Sequence, residues 1–329
     1  MDLALLQETL GGLGQPAFRA RQVWAWMARG IASYAEMTDL PAELRAQLEE
    51  HVPFSSLEVV NQVESRDGTV KALFHTADRR PVEAVLMRYR DGRRSVCVSS
   101  QSGCPLTFTF SATGAMKFGR NLKAHEILDQ VLHLRRIEAL DHLVFMGMGE
   151  PLMNVEAVLG AIEKLPDTGI THRRTGISTV GWVPGIRRLT EECPFPVRLA
   201  LSLHAPEDAL RSQIMPINDK HPIAEVIEAC DAWYAKRRRR VFVEYLMLEG
   251  VNDSTGQARQ LVELLDPKRY KVNLIPYNAT GAAYTGSSRA AIGAFREVLL
   301  GKGFEATVRL TRGQDIDAAC GQLAARAAA

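Results

Sequence analysis

The run Phe145-Met146-Gly147-Met148-Gly149-Glu150-Pro151 places two glycines and a carboxylate directly after an apolar segment. Glycine lets a backbone approach a ligand closely, and a carboxylate there can accept from an ammonium group or a ribose hydroxyl. A strand-end glycine pair also makes an ordinary tight turn, so the run alone leaves both readings open. Ser202-Leu203-His204 poses the same choice, because a lone histidine after a strand is often a satisfied structural residue. The five cysteines, Cys97, Cys104, Cys193, Cys230 and Cys320, are odd in number and far apart. Without secretory features around them they read as reduced thiols rather than disulfides. Cys193 and Cys230 fall at the end of one βα unit and inside a predicted helix, where buried apolar cysteine is expected.

These residues need elements to hold them. Apolar spacing predicts a helix from Leu3 to Leu10, a second from Phe18 to Met27, and a third introduced by Asp39-Leu40-Pro41 and running through Leu48. From Thr69 the pattern turns to β-formers at Val70 to Phe74, Val82 to Met87 and Ser95 to Ser99, with turn pairs such as Asp91-Gly92 between them. Beyond Cys97 strands and helices alternate, the signature of a parallel sheet. The predicted strands are Ser95 to Ser99, His142 to Met146, Thr175 to Thr179, Val197 to Leu203, Val241 to Leu248 and Lys271 to Ile275, with helices such as Ala124 to Arg136 and Ile223 to Lys236 between them. Such units can curve into a partial α/β barrel whose ligands bind at the carboxyl ends of the strands. Gly147 to Pro151, Ser178-Thr179, Ser202 to His204 and Pro276-Tyr277-Asn278 all sit at those ends. The organisation expected is a helical accessory domain over 1–52, a small β region over 53–94, the partial barrel over 95–312 and a C-terminal segment over 313–329 that carries Cys320.

With 329 residues and 46% hydrophobic content the chain can bury a large core. No apolar run reaches the roughly 18 residues of a membrane span, and no secretory leader is visible, so a soluble cytoplasmic protein is expected. A net charge of +2 does not by itself argue for nucleic acid, although Lys236 through Arg240 is an unbroken run of five cations. Such a run is either a solvated face or part of an RNA surface.

The stretch Cys97-Val98-Ser99-Ser100-Gln101-Ser102-Gly103-Cys104, continuing through Ser111-Ala112-Thr113-Gly114 to Phe118-Gly119-Arg120-Asn121-Leu122, resembles the signature of the RlmN/Cfr family of radical S-adenosylmethionine enzymes. Gly147 to Pro151, Ser178-Thr179, Ser202 to His204, Asn273 to Asn278 and Arg312 to Leu323 match in the same order, and Phe18-Arg19-Ala20 resembles the family's accessory domain. The resemblance implies a partial (β/α)6 radical-SAM-type barrel. It implies methylation of an adenine in 23S ribosomal RNA, at C2 for the RlmN branch, with transfer RNA as a further substrate. Its cofactors would be S-adenosylmethionine and a 4Fe-4S cluster. Cys320 matches the methyl-carrying cysteine, Cys97 the thiol that helps resolve the protein–RNA adduct, and Glu83 the proton acceptor. Gly149, Glu150, Ser178, Ser202, Leu203, His204 and Asn278 match the S-adenosylmethionine contacts. Read without the resemblance, Cys97 is an ordinary core residue, Cys320 a packed small one and Glu83 a carboxylate that could face solvent.

In that family three thiolates at CxxxCxxC spacing bind three irons and leave the fourth open to S-adenosylmethionine. Here the three positions are Cys104, Phe108 and Ser111. Phenylalanine has no ligand atom, and a hydroxyl is a poor soft-metal ligand. Three readings follow: a methyltransferase whose cluster is held by something the sequence does not show, a non-catalytic RNA-binding descendant, or an intact enzyme into which Phe108 and Ser111 have been introduced. Retention of Cys97, Glu83 and Cys320 favours the family activity, since a pure binding module has no chemical use for them.

Overall fold

The protein was studied as a computed structural model that describes residues 1–112, 114 and 116–323. Thr113 of the signature and the alanine-rich tail over 324–329 lie outside the described residues.

Three helices open the chain, α1 (Leu3–Gly12), α2 (Phe18–Arg29) and α3 (Ala42–His51). Asp2 starts the first by accepting from the Ala4 and Leu5 amides at 3.0 and 3.3 Å, satisfying donors that a helix start leaves orphaned. The apolar stripe of this module, including Leu6, Val23, Trp24 and Leu44, is buried in the same core as the large sheet. The Trp24 indole also donates to Asp167 at 2.6 Å.

Next come β1 (Leu57–Glu64), β2 (Val70–Thr76), β3 (Pro81–Arg88) and β4 (Arg94–Cys97), an antiparallel meander. A small two-stranded ribbon, β5 (Gln101–Ser102) with β6 (Arg120–Asn121), ties the two ends of the signature stretch together. The alternating half follows: α4 (Ala124–Ile137), β7 (His142–Phe145), α5 (Val155–Lys164), β8 (Thr175–Thr179), α6 (Val183–Glu192), β9 (Arg198–Ser202), α7 (Asp208–Ile214), α8 (Ile223–Arg237), β10 (Val241–Met247), α9 (Thr255–Leu264), β11 (Tyr270–Pro276), α10 (Arg289–Leu300) and β12 (Ala306–Val308).

Ten strands form one sheet in the order β1-β2-β3-β4-β7-β8-β9-β10-β11-β12, parallel from β4 onward. The six parallel strands expected from the sequence are present, and β12 adds another at the edge. Three residues with two exposed side chains are too short to show a period, which is why β12 was not foreseen. Strand β1 also escaped prediction, because its outer positions are exposed and polar residues interrupt its apolar ones. The meander strands of 57–88 are hydrogen-bonded into the same sheet as the barrel strands.

Strand alternation sorts the side chains between two environments. In β10, Val241, Val243, Tyr245 and Met247 pack into the main core, while Leu246 joins a second apolar cluster inside the barrel with Phe110, Met215 and Ile275. Cys193 and Cys230 are both buried in the main core, as expected. Met148, in the glycine loop, is fully buried as packing.

Candidate active site

A cleft of about 190 Å³ opens at the carboxyl ends of the parallel strands. Its walls come from the loops after β4, β7, β8, β9 and β11, and the C-terminal segment closes it.

The loop after β7 is shaped by its glycines. A side chain at Gly147 would place its Cβ 2.7 Å from the Val98 carbonyl, and one at Gly149, whose φ is +92°, would come within 2.4 Å of Gln101. Only glycine allows this approach, which lets the Glu150 amide donate to Gln101 Oε1 at 2.8 Å. The Glu150 carboxylate accepts from the amides of Leu152 and Val180, both at 3.0 Å. Burial nonetheless pushes its carboxyl up to about 7, and a cation placed beside it would draw it toward the ionised form.

After β9, His204 adopts a left-handed backbone with φ of 60°. Its Nδ1 accepts from the Leu246 amide at 3.0 Å and its carbonyl accepts from Asn252 at 2.8 Å. Asn252 in turn donates to the Leu246 carbonyl and accepts from the Leu248 amide. Burial, with Arg211 nearby, lowers the imidazole to about 3, so it is neutral. Ser178 and Ser202 bring their hydroxyls to 3.5 Å of each other on the same wall. Leu203, expected among the same contacts, turns its side chain by alternation into the main core.

The C-terminal segment folds back across the cleft. Asn278 donates to the Cys320 carbonyl at 3.2 Å and accepts from Gln314 at 2.9 Å, while Gln322 donates to the Ala279 carbonyl at 2.9 Å. The Ala112 amide donates to the Gly321 carbonyl at 2.8 Å, pinning this segment to the signature loop. Both polar ends of the Asn278 amide are thus occupied in positioning the Cys320 segment.

Cys97 and Cys320 both line the cleft. Burial, with the Cys320 sulfur as a further influence, pushes the Cys97 thiol up to about 12 and keeps it protonated. Arg309 lines the same cleft, and its cation is held well above its ordinary range, chiefly by Cys320 and then by Glu244, Tyr89 and Cys97. It also donates to the Met146 sulfur at 3.3 Å. Sequence reasoning missed Arg309, because a single arginine after a three-residue strand carries no local pattern.

Glu83 is fully buried on β3 and ion-paired with Lys71 at 3.4 Å. It shares a strand face with Val85 and Met87, which line the cleft, but is not itself a lining residue.

Cys104, Phe108 and Ser111 line the cleft together. Burial pushes the Cys104 thiol up to about 11. The Phe108 ring stacks on Phe110 at 5.9 Å, Phe110 meets His204 edge to face at 5.2 Å, and both phenylalanines pack into the inner apolar cluster. Among the described residues no group of three histidine, cysteine or carboxylate side chains gathers to hold a metal. One buried thiol, an aromatic ring and a hydroxyl do not fit a cubane that needs three thiolates.

A parallel-stranded partial barrel with glycine-loop, serine and histidine contacts at its strand ends defines a radical SAM fold. Residues 98–262 match the family described as Radical SAM superfamily, and residues 1–53 match the Ribosomal RNA large subunit methyltransferase N-terminal domain. A solved radical SAM methyltransferase from Sphaerobacter thermophilus superposes with a TM-score of 0.93 at 45% identity, covering 99% of this chain and 98% of that one. The Dual-specificity RNA methyltransferase RlmN of Anaeromyxobacter dehalogenans is 44% identical over 97% of this chain and 89% of its own length. That of Geobacter sulfurreducens is 44% identical with the same coverage. This chain belongs to the RlmN family.

Proposed function

We propose that this protein binds S-adenosylmethionine and an RNA adenine in the strand-end cleft, with Cys320 as the acceptor of the methyl group. The RNA is of the kind the family modifies, 23S ribosomal RNA at adenine C2 and transfer RNA. The observation that carries this reading is the convergence of Cys320, Arg309 and Cys97 on one cleft with Glu150, Ser178, Ser202 and His204.

When bound, S-adenosylmethionine supplies an electrophilic methyl group. Glu150 fits its ammonium, since a carboxyl raised by burial gains a compensating partner when a cation lies beside it. The neighbouring serine hydroxyls offer hydrogen bonds to the polar parts of the nucleoside. The Arg309 cation lines the cleft with the Cys320 sulfur, the atom that would attack the methyl group. Cys97 remains a neutral thiol and therefore a store of one proton beside the reacting centre. We assign Glu83 a proton-accepting part through the strand face it shares with the cleft wall, and Asn278 the placement of the Cys320 backbone. The family is defined by a 4Fe-4S cluster, and Phe108 and Ser111 deprive this chain of two of its ligands, so no radical step is assigned to the chain as it stands. Among the described residues no helix is long and apolar enough to cross a membrane.

The test is intact-mass analysis after incubation with isotopically labelled S-adenosylmethionine. One methyl group on Cys320, lost in Cys320→Ala, is expected, with no deoxyadenosine and no methylated adenine in added RNA. Methylated RNA from the unmodified chain would overturn the assignment of Phe108 and Ser111 as disabling. A second reading, a non-catalytic RNA-binding protein, is favoured by the packing of Phe108 into an apolar cluster, and RNA binding without any methyl on Cys320 would select it.

A further inference from the structure

The five-cation run Lys236 to Arg240 is the obvious sequence candidate for an RNA surface, yet the fold largely consumes it. Lys236 reaches the Glu191 carbonyl, Arg237 the carbonyls of Thr190 and Cys193, Arg239 that of Pro196, and Arg240 pairs with Glu305. Lys236, Arg237 and Arg239 brace α6 and its connection to β9, while Arg240 is tied to the residue before β12.

A different set of cations runs along the inside of the sheet below the cleft. The alternation that aims Ser202 of β9 and Glu244 of β10 inward aims Arg198 and Phe242 the same way, nearer the amino ends of the strands. Arg198 and the Lys271 ammonium of β11 both lie over the Phe242 ring, at 6.0 and 5.7 Å. On the other side, Arg93 lies over the Tyr89 ring at 4.5 Å, and Arg312, a lining residue of the cleft, lies 5.5 Å from the same ring. Arg174 lies between the two groups: it directly precedes β8, where Gly176 pairs with Arg198 of β9, and Arg93 directly precedes β4 at the same amino ends of the parallel strands. Carboxylates accompany four of these cations: Asp91 at Arg93, Asp141 at Arg174, Glu305 at Lys271 and Asp67 at Arg312. Arg198 is exposed and has no carboxylate within ion-pair distance among the described residues.

We propose that this strip seats the phosphate backbone of the RNA that flanks the target adenine, leading the strand from the lower mouth of the barrel, past Arg198 and Arg174, to Arg312 at the cleft. Guanidinium groups held over aromatic rings are pre-ordered for phosphate, and alternating cations and rings suit an unpaired strand better than a duplex. The inference rests on the RNA reading above.

The experiment is fluorescence-anisotropy titration with a labelled stem-loop RNA carrying an unpaired adenine in its loop, over a range of salt. It compares the full chain with Arg198→Ala, Arg174→Ala/Arg198→Ala and the control Arg188→Ala, on the outer side of α6. The double variant is expected to bind more weakly, with the slope of log affinity against log salt falling by roughly 0.7 to 0.9 per lost phosphate contact. The control and the binding of labelled S-adenosylmethionine are expected to be unchanged, the latter reporting an intact fold. If the full chain binds the RNA and the double variant keeps its slope, the strip is wrong while the RNA reading stands. If Arg188→Ala loses as much, bulk charge is responsible and the strip is again wrong. If the full chain binds no RNA, both ideas fall.

Discussion

Phe108 holds the position at which a thiolate would bind iron, and its ring is part of the packing rather than a loose end. The unmodified chain is therefore expected to carry far less than one cluster after anaerobic reconstitution, as measured by iron and acid-labile sulfide. Phe108→Cys/Ser111→Cys is expected to restore binding, because Cys104 and the rest of the loop already face the cleft. Stoichiometric iron in the unmodified chain would refute the first expectation. Losing the half-buried ring should cost on the order of 2 kcal/mol, read as a lower denaturant midpoint of the double variant. Arg309 has the opposite character: nothing beside it in the sequence announces it, and its role lies in what it faces. Arg309→Met is expected to slow alkylation of Cys320 by iodoacetamide several-fold at neutral pH, followed by mass spectrometry, without slowing modification elsewhere. An unchanged rate would leave Arg309 as packing.

Two of the strand-end loops, at Gly149 and His204, use left-handed backbone. Gly149→Ala must place a Cβ against Gln101 in a backbone conformation unfavourable to any other residue, a cost of about 2 kcal/mol or more. A lower denaturant midpoint and lost S-adenosylmethionine binding by calorimetry are expected together; binding at full strength would show that the loop is not the nucleoside wall. His204 makes the neighbouring loop sensitive to acid. Its folded imidazole titrates at about 3, against 6.5 for an ordinary one, because burial and Arg211 oppose its charge. A lowered pKa means that its contribution to stability is complete above 6.5 and is lost as pH falls through that value toward 3. At about pH 5 the loss amounts to roughly 2 kcal/mol. Urea midpoints measured between neutral pH and about pH 5 should fall, and His204→Gln should flatten that fall; an equal fall in the variant would assign it elsewhere, for instance to His133, which burial lowers to about 4.

Over the whole molecule, the meander and the parallel strands share one sheet, and the opening helices share one apolar core with it. Helix α2 contacts α4 across that core, and Arg88 of the meander pairs with Glu138 beyond α4. Calorimetric unfolding is accordingly expected to show a single transition, in which near-ultraviolet signals of Trp24 and Trp233 are lost together. Two resolved transitions, with Trp24 lost first, would mean that the helical module is only docked.

Periodicity was enough to find the six main parallel strands and the helices around them, because buried faces repeat at fixed intervals along the chain. Local pattern also singled out Gly147 to Glu150, Ser178, Ser202 and His204, which lie in short contiguous runs at strand ends, whereas Cys97 and Cys320 stood out only through the family resemblance. Only the tertiary structure decided which side chains share the cleft. It turned Leu203 outward by alternation and gave Asn278 the Cys320 backbone to hold. It brought Cys97 from a distant part of the chain into one cleft with Arg309 and Cys320. It likewise spent the contiguous run Lys236 to Arg240 on backbone carbonyls and a carboxylate while collecting Arg93, Arg174, Arg198 and Lys271 from separate strand ends. Neighbours in sequence are visible to local pattern; neighbours across a parallel sheet are set by register, which no single segment encodes.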